Sequence, residues 1–201
     1  MARTKDPKLA EARRLLIADT TIELLTEASW RSVTLTAVAE RAGISKGVVT
    51  YWYATKDALM LAAIERFHGR YEERLMSVAT AEAPSKERLR LLIEVAFPDR
   101  QTLRDELAFQ TELWSYAKGR PDVMARIQAA YGTFRMATQA LIELGVADGY
   151  VTTSERDALH LFVHSLIDGL SIHLAFDDIA DVPAARDRLQ TLLERWFESP
   201  A

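Results

Sequence analysis

Apolar residues recur three and four positions apart along almost the whole chain, and each such run stops at a glycine, a proline or a cluster of small polar residues. That spacing is the period of an α-helix, whereas a half-buried strand alternates every second residue. Alternating runs of β-branched and aromatic residues are hard to find. The chain is therefore expected to be all-α, with about nine helices and no internal repeat. Its 201 residues, 49% of them hydrophobic and 27% charged, suffice for one large domain or two small ones. Long disorder is excluded by the same balance.

The first helix is expected over 9–28, with Leu15, Leu16, Ala18, Ile22, Leu25 and Ala28 as its apolar face. Ser29–Val33 breaks it. Thr34 suits the N-cap of a short second helix whose Leu35, Val38 and Ala39 turn inward. Gly43 suits the left-handed position that ends that helix. Ser45 can cap a third helix, Lys46–Trp52, and Thr55 a fourth that runs to about Thr80. Further helices are expected over 85–97, 100–118, Pro121 to Leu144, Ser154 to Phe176 and 184–198. Ser154 and Asp157 resemble a capping box, while Gly145–Thr153 and Asp177–Pro183 read as loops.

The second and third helices flank a turn in which glycine lets the chain reverse, which is the helix-turn-helix pattern. Val38, Ala39, Ala42, Ile44, Val49 and Trp52 form its inner face. The alanines are small where the two helices cross. Lys46, Gly47, Val48, Thr50 and Tyr51 then point outward, able to enter a major groove about 12 Å wide. Lys46 can meet a phosphate or a guanine edge, Thr50 can donate or accept, and Val48 can touch a thymine methyl. Gly47 lets backbone come close. Charge is distributed accordingly. The whole chain has a formal net charge of −4, yet residues 1–56 carry +3 and the rest −7, so the head is the end suited to a polyanion. Short helices joined by a glycine turn also occur in helical proteins that bind no DNA, so the pattern alone does not decide.

The run AVAERAGISKGVVTYWYATKDAL closely resembles the DNA-binding signature of the tetracycline-repressor (TetR) family. Val38–Ala39, Ala42–Gly43–Ile44–Ser45, Gly47, Trp52, Tyr53, Lys56 and Leu59 fall on its fixed places. Thr50 departs from the family's usual tyrosine, with aromatics displaced to Tyr51 and Tyr53. Ser29–Trp30–Arg31 replaces the usual glycine after the first helix. The resemblance implies an all-α homodimer that represses transcription and leaves double-stranded operator DNA when a small-molecule effector binds. It divides the chain into a DNA-binding domain, 1–55, and a ligand-binding and dimerisation domain, 56–201. By resemblance, Trp52 packs on the DNA backbone and Lys56 meets a phosphate at the start of the fourth helix. Thr34, Thr36, Ser45 and Tyr53 complete the implied DNA surface. The segment LIDGL also resembles the choline-responsive BetI-like branch, a short match that does not carry choline over as ligand.

In the C-terminal part, Leu159, Phe162, Val163, Leu166, Ile167 and Leu170 make a wide stripe, and Leu189, Leu192, Leu193, Trp196 and Phe197 another. The family pairs these helices with their copies. The dimer contacts expected are Phe162, Val163, Leu166, Gly169, Leu170, Leu193 and Trp196. Gly169 costs a helix about 1 kcal/mol relative to alanine, which points to a close helix approach. Aromatics crowd helices four to eight, and Phe67, Trp114, Tyr131, Phe134, His164 and Asp168 are the expected ligand contacts, since small-molecule sites are apolar with a few polar groups. His160, His164 and Asp168 share one stripe at spacings of four, a spacing that can hold a transition metal, but three ligands from one straight helix make a poor cage. No cofactor and no metal is expected.

Other classes are disfavoured. With no cysteine there is no disulfide, thiolate site or cysteine nucleophile. No G-x-S-x-G, G-x-G-x-x-G, P-loop or H-E-x-x-H occurs, so an enzyme is not expected. The opening MARTKDPKLAEARR has no apolar core of a signal peptide, and no apolar run approaches the roughly 20 residues of a membrane helix. A cytoplasmic protein without membrane contact is expected. A helical protein-interaction module, with Tyr51, Trp52 and Tyr53 as its patch, remains the alternative. Salt separates the two, because DNA binding weakens steeply with salt.

Overall fold

A computed structural model describes residues 7–152 and 156–197. Among these residues there are nine helices and no strand: α1 (Pro7–Glu27), α2 (Leu35–Arg41), α3 (Lys46–Trp52), α4 (Lys56–Ala79), α5 (Ser85–Ala96), α6 (Arg100–Ala117), α7 (Pro121–Ala147), α8 (Arg156–Phe176) and α9 (Val182–Phe197). The Ser154 capping box lies outside the described residues. The seventh helix passes Gly145, expected to open a loop, and its left-handed break falls at Gly149. The ninth begins two residues earlier than expected and takes Pro183 into its first turn, where a missing N–H costs nothing.

The chain forms two compact units. One comprises the residues through Arg70 together with Ala108–Met124, and the other comprises Tyr71–Leu107 and the residues from Ala125 onward. The division expected at 55/56 is thus not where the compact units part. The first turns of α4 bury Leu59, Met60, Ala63 and Ile64, and a helix start buried on that scale stays with the head it packs into.

In the first unit α2 packs on α1 and on α3. The buried face of α1 is Ile17, Ala18, Thr20, Thr21, Ile22 and Leu25; Leu16 and Ala28, expected inside, are exposed. Threonine replaces leucine on that face because its hydroxyl is satisfied locally. Thr20 donates to the Leu16 carbonyl and Thr21 to that of Ile17, each at 2.8 Å, which removes the cost of burying a free donor.

The core of the second unit gathers Phe97, Leu103, Leu159, Val163, Leu174 and Leu193, with α5 packed on α9. Arginines close the C-terminal end of α8. Arg100 donates to the carbonyls of Leu174 (2.8 Å), Asp177 and Ala180. Arg104 donates to the Ala175 carbonyl at 2.7 Å. The last carbonyls of a helix have no partner within it and carry its negative dipole end. Arg100→Ala is therefore expected to cost about 2–3 kcal/mol. A lower urea midpoint that Arg100→Lys does not restore is the expected result, because only the planar fork reaches several carbonyls.

One 18-residue window of α8, Leu159–Phe176, has a mean hydropathy of 1.4 and is long and apolar enough to cross a membrane by length and composition. The expectation of no such run does not hold by that measure. Part of the window is nevertheless core of the second unit, through Leu159, Val163, Ile167 and Leu174.

Candidate DNA interface, exposed apolar face and aromatic cluster

The helix-turn-helix is built by three local devices. The Thr34 hydroxyl accepts from the Ala37 N–H at 3.1 Å and starts α2. Gly43, at φ +64°, ends it, with Ile44 N–H returning to the Ala39 carbonyl and Gly43 N–H to that of Glu40, at 3.0 and 3.2 Å. This is the Schellman closure. The Ser45 hydroxyl then accepts from the Val48 N–H at 3.3 Å and starts α3. Val38, Ala39 and Val49 are buried, Ala42, Ile44 and Trp52 half-buried, so the expected inner face is found.

The outward residues are Thr36, Lys46, Gly47, Thr50 and Tyr51, all exposed, with Val48 half-buried. Tyr51 stands edge-on to Trp52 at 4.9 Å. The Tyr53 hydroxyl is turned toward α1, donating to the Arg14 carbonyl at 3.4 Å. Several cations of the first unit are already committed. Arg41 forks onto Glu27 at 2.8 and 2.6 Å, and Arg66 and Arg70 both pair with Asp19.

Lys56 opens α4, and Thr55 caps that helix by accepting from the Ala58 N–H at 3.1 Å. The Lys56 ammonium donates to the Arg31 carbonyl at 3.0 Å and lies 5.2 Å from the centre of the Trp30 ring. Burial lowers its pKa, as does the Arg120 charge. Trp30 was visible in the sequence only as a departure, because its partners Glu112 and Ser115 stand more than eighty residues away.

In the second unit α8 carries two apolar stripes. Leu159, Val163, Ile167 and Leu174 face the core. Leu161, Phe162, Leu166, Ile172 and Phe176 are exposed, Phe162 by 50% and Phe176 by 73%. Of the expected dimer contacts, Phe162, Leu166 and Gly169 are exposed and Leu170 and Trp196 half-buried, with Trp196 edge-on to Phe162 at 5.4 Å. Val163 and Leu193 are corrected: both are buried in the chain's own core. Leu192, one position before Leu193, is the exposed leucine of α9.

The expected ligand residues separate. Phe67 and Trp114 belong to the first unit, where Phe67 stacks on Phe109 at 4.2 Å and Trp114 is exposed. Tyr131, Phe134, His164 and Asp168 belong to the second and meet there with Tyr71. Phe134 lies 5.3 Å from the Tyr71 ring and 3.8 Å from that of His164. Thr138 is 3.5 Å from the His164 Nε2. Burial, then the Glu106 charge, raises the phenol of Tyr71, and burial of part of its ring, then the Asp168 charge, raises that of the partly exposed Tyr131. Asp168 sits at the solvent-open edge, yet the protein around it raises its carboxyl. Burial, then the neighbouring His160, lowers His164 to about 4, so its ring is neutral at pH 7. Two cavities occur elsewhere in this unit. One of about 290 Å³ is lined by Arg74, Leu91 and Glu94, and one of about 40 Å³ by Thr138, Ile142 and Tyr150; none of the six expected residues lines either. Among the described residues no three His, Asp or Glu side chains are grouped to hold a metal.

The capped helix-turn-helix with an exposed outer side is the geometry of a DNA-binding head, and similarity to known families fixes the class. Residues 17–63 match the family described as "Bacterial regulatory proteins, tetR family", and residues 85–199 match "BetI-type transcriptional repressor, C-terminal". The chain belongs to the tetR family of transcriptional regulators and carries the C-terminal domain of the BetI-type repressors. It is a regulator and not an enzyme. The regulator BetI of Burkholderia thailandensis is 30% identical over 93% of this chain and 97% of its own length. The regulator PksA of Bacillus subtilis is 24% identical over 94% of this chain and 90% of its own. A crystal structure of a putative transcriptional regulator from Saccharomonospora viridis in complex with choline superposes with a TM-score of 0.78, at 26% identity over 92% of this chain and 96% of that one. Regulators of this family bind operator DNA and small-molecule ligands.

Proposed function

We propose that this protein is a cytoplasmic homodimer that represses transcription by holding operator DNA with residues 1–55, and releases it when a small cation binds within residues 56–201. For the DNA half, Lys46, Gly47, Val48, Thr50 and Tyr51 enter the major groove. Thr34, Thr36, Ser45, Trp52, Tyr53 and Lys56 meet the sugar-phosphate backbone. The observation that carries this is the exposed face of α3 beside the Lys56 ammonium. Dimerisation uses the outer stripe of α8 with α9: Phe162, Leu166, Gly169, Leu170, Leu192 and Trp196. A Cβ at Gly169 would meet nothing of its own chain within 4 Å, so a packing reason for that glycine comes from a second chain.

For the ligand half, Tyr131 and Phe134 supply ring faces and Asp168 a carboxylate, while the Tyr71 ring beside Phe134 already carries the Arg74 guanidinium 5.1 Å from its centre, paired with Glu106. Aromatic faces around one anion recognise a quaternary ammonium, and neutral His164 adds no competing charge. Choline in the related Saccharomonospora viridis regulator supports this class of ligand. Phe67 is left out because its ring is used on Phe109, and Trp114 because it stands exposed in the first unit.

The test of the DNA half is a salt titration. Lys56→Ala is expected to weaken binding alike on all duplex sequences and to make the salt dependence shallower by about one unit of slope. Thr50→Ala is expected to change sequence preference instead. An unchanged slope in Lys56→Ala would remove Lys56 from the interface.

A further inference from the structure

Trp30 collects contacts from three elements of the first unit. Its backbone N–H donates to Glu112 Oε2 at 2.7 Å and its indole N–H to Ser115 Oγ at 3.3 Å, both on α6. Its ring stands edge-on to Tyr116 at 5.1 Å. The head groups of Arg31, Arg120 and Lys56 lie 4.8, 4.9 and 5.2 Å from its centre. Lys56 also donates to the Arg31 carbonyl. The next residue, Asp57, accepts from the Tyr116 hydroxyl at 2.6 Å. The start of α4 is thus tied twice to a site that includes the last turns of α6.

A free lysine side chain loses much rotamer freedom when it binds one phosphate. Here part of that freedom is already gone. One of the three ammonium donors is spent on the Arg31 carbonyl, and the others remain. Three cations around one ring also repel one another, so an arriving phosphate relieves them as well as binding them. We infer that Trp30 is a positioning residue for DNA binding: its ring and the Arg31 carbonyl hold the Lys56 ammonium in place for a phosphate, and its bonds to Glu112 and Ser115 make that hold depend on the last turns of α6. This rests on Lys56 being a phosphate contact. It also gives a physical role to the turn in which this sequence departs from the family's glycine.

The test is the affinity of the full chain for a random-sequence duplex at low salt, measured for Trp30→Leu, Trp30→Phe and Glu112→Ala, each with and without Lys56→Ala. Trp30→Leu and Glu112→Ala are expected to weaken binding about two- to fivefold, the range of an exposed cation–π contact. Trp30→Phe keeps a ring face and most of the affinity. In the Lys56→Ala background all three become neutral, because what they position is gone. A substitution that only destabilises the fold lowers the active fraction equally in both backgrounds, so equal losses with and without Lys56 would overturn the inference while leaving Lys56 as a DNA contact. If Lys56→Ala by itself changes neither affinity nor salt slope, the phosphate reading falls and takes this one with it.

Discussion

Leu166→Asp is expected to give a monomer at micromolar concentration and to weaken operator binding by about 100-fold or more, because a single head loses the gain of two linked half-sites. Leu166 lies on the exposed stripe of α8 with Phe162 and, one turn further on, Gly169, with the half-buried Leu170 beside it. A twofold interface places the same patch on both chains, so an introduced carboxylate near the axis meets its own copy as well as apolar surface. The exposed stripe continues to Ile172 and Phe176, a contiguous apolar face of the size that interaction surfaces have. Sedimentation of Leu166→Asp beside Val163→Ala is the discriminating pair. Val163 is buried in the chain's own core, so its truncation should lower stability and leave the assembly state alone. A Leu166→Asp variant that still sediments as a dimer would place the interface on another face.

The helices were legible in the sequence to within a few residues because their signals are local. Thr34 and Ser45 cap with their own hydroxyls, and Gly43 ends α2 through bonds to Ala39 and Glu40. The exposed side of α3 was legible for the same reason: α3 is only seven residues long, and its inner side is fixed by Val49. Periodicity failed where two stripes compete. In α8, Phe162 and Val163 are adjacent, and nothing local says that Val163 enters the core of the second unit while Phe162 faces out. The face of α1 was misjudged by the converse rule, since two threonines buried by bonds to the preceding turn read as polar. Contacts between distant segments were not legible at all. The aromatics of helices four to eight looked alike until Phe67 was found on Phe109 and Phe134 between Tyr71 and His164. Trp30 could be seen as unusual but not as the partner of α6.

Choline is expected to weaken operator binding by a factor of about 5 to 150, and operator DNA to weaken choline binding by the same factor, since coupling between two ligands is reciprocal. A ligand shifts an equilibrium only by its difference in affinity for the two states, so the titration with and without operator measures the switch directly. Asp168→Asn is expected to lower choline affinity at least about tenfold, as it removes a carboxylate facing the cation and leaves the rings. Acid gives an independent check. The Asp168 carboxyl lies above the ordinary carboxylate range because burial disfavours its charge. Choline affinity should therefore decline as pH falls through that raised value, and Asp168→Asn should be flat over the same interval. His164 does not produce the decline at higher pH, because burial keeps it neutral down to about 4. Equal choline affinity in the presence and absence of operator would show that the cluster, though occupied, does not regulate the head.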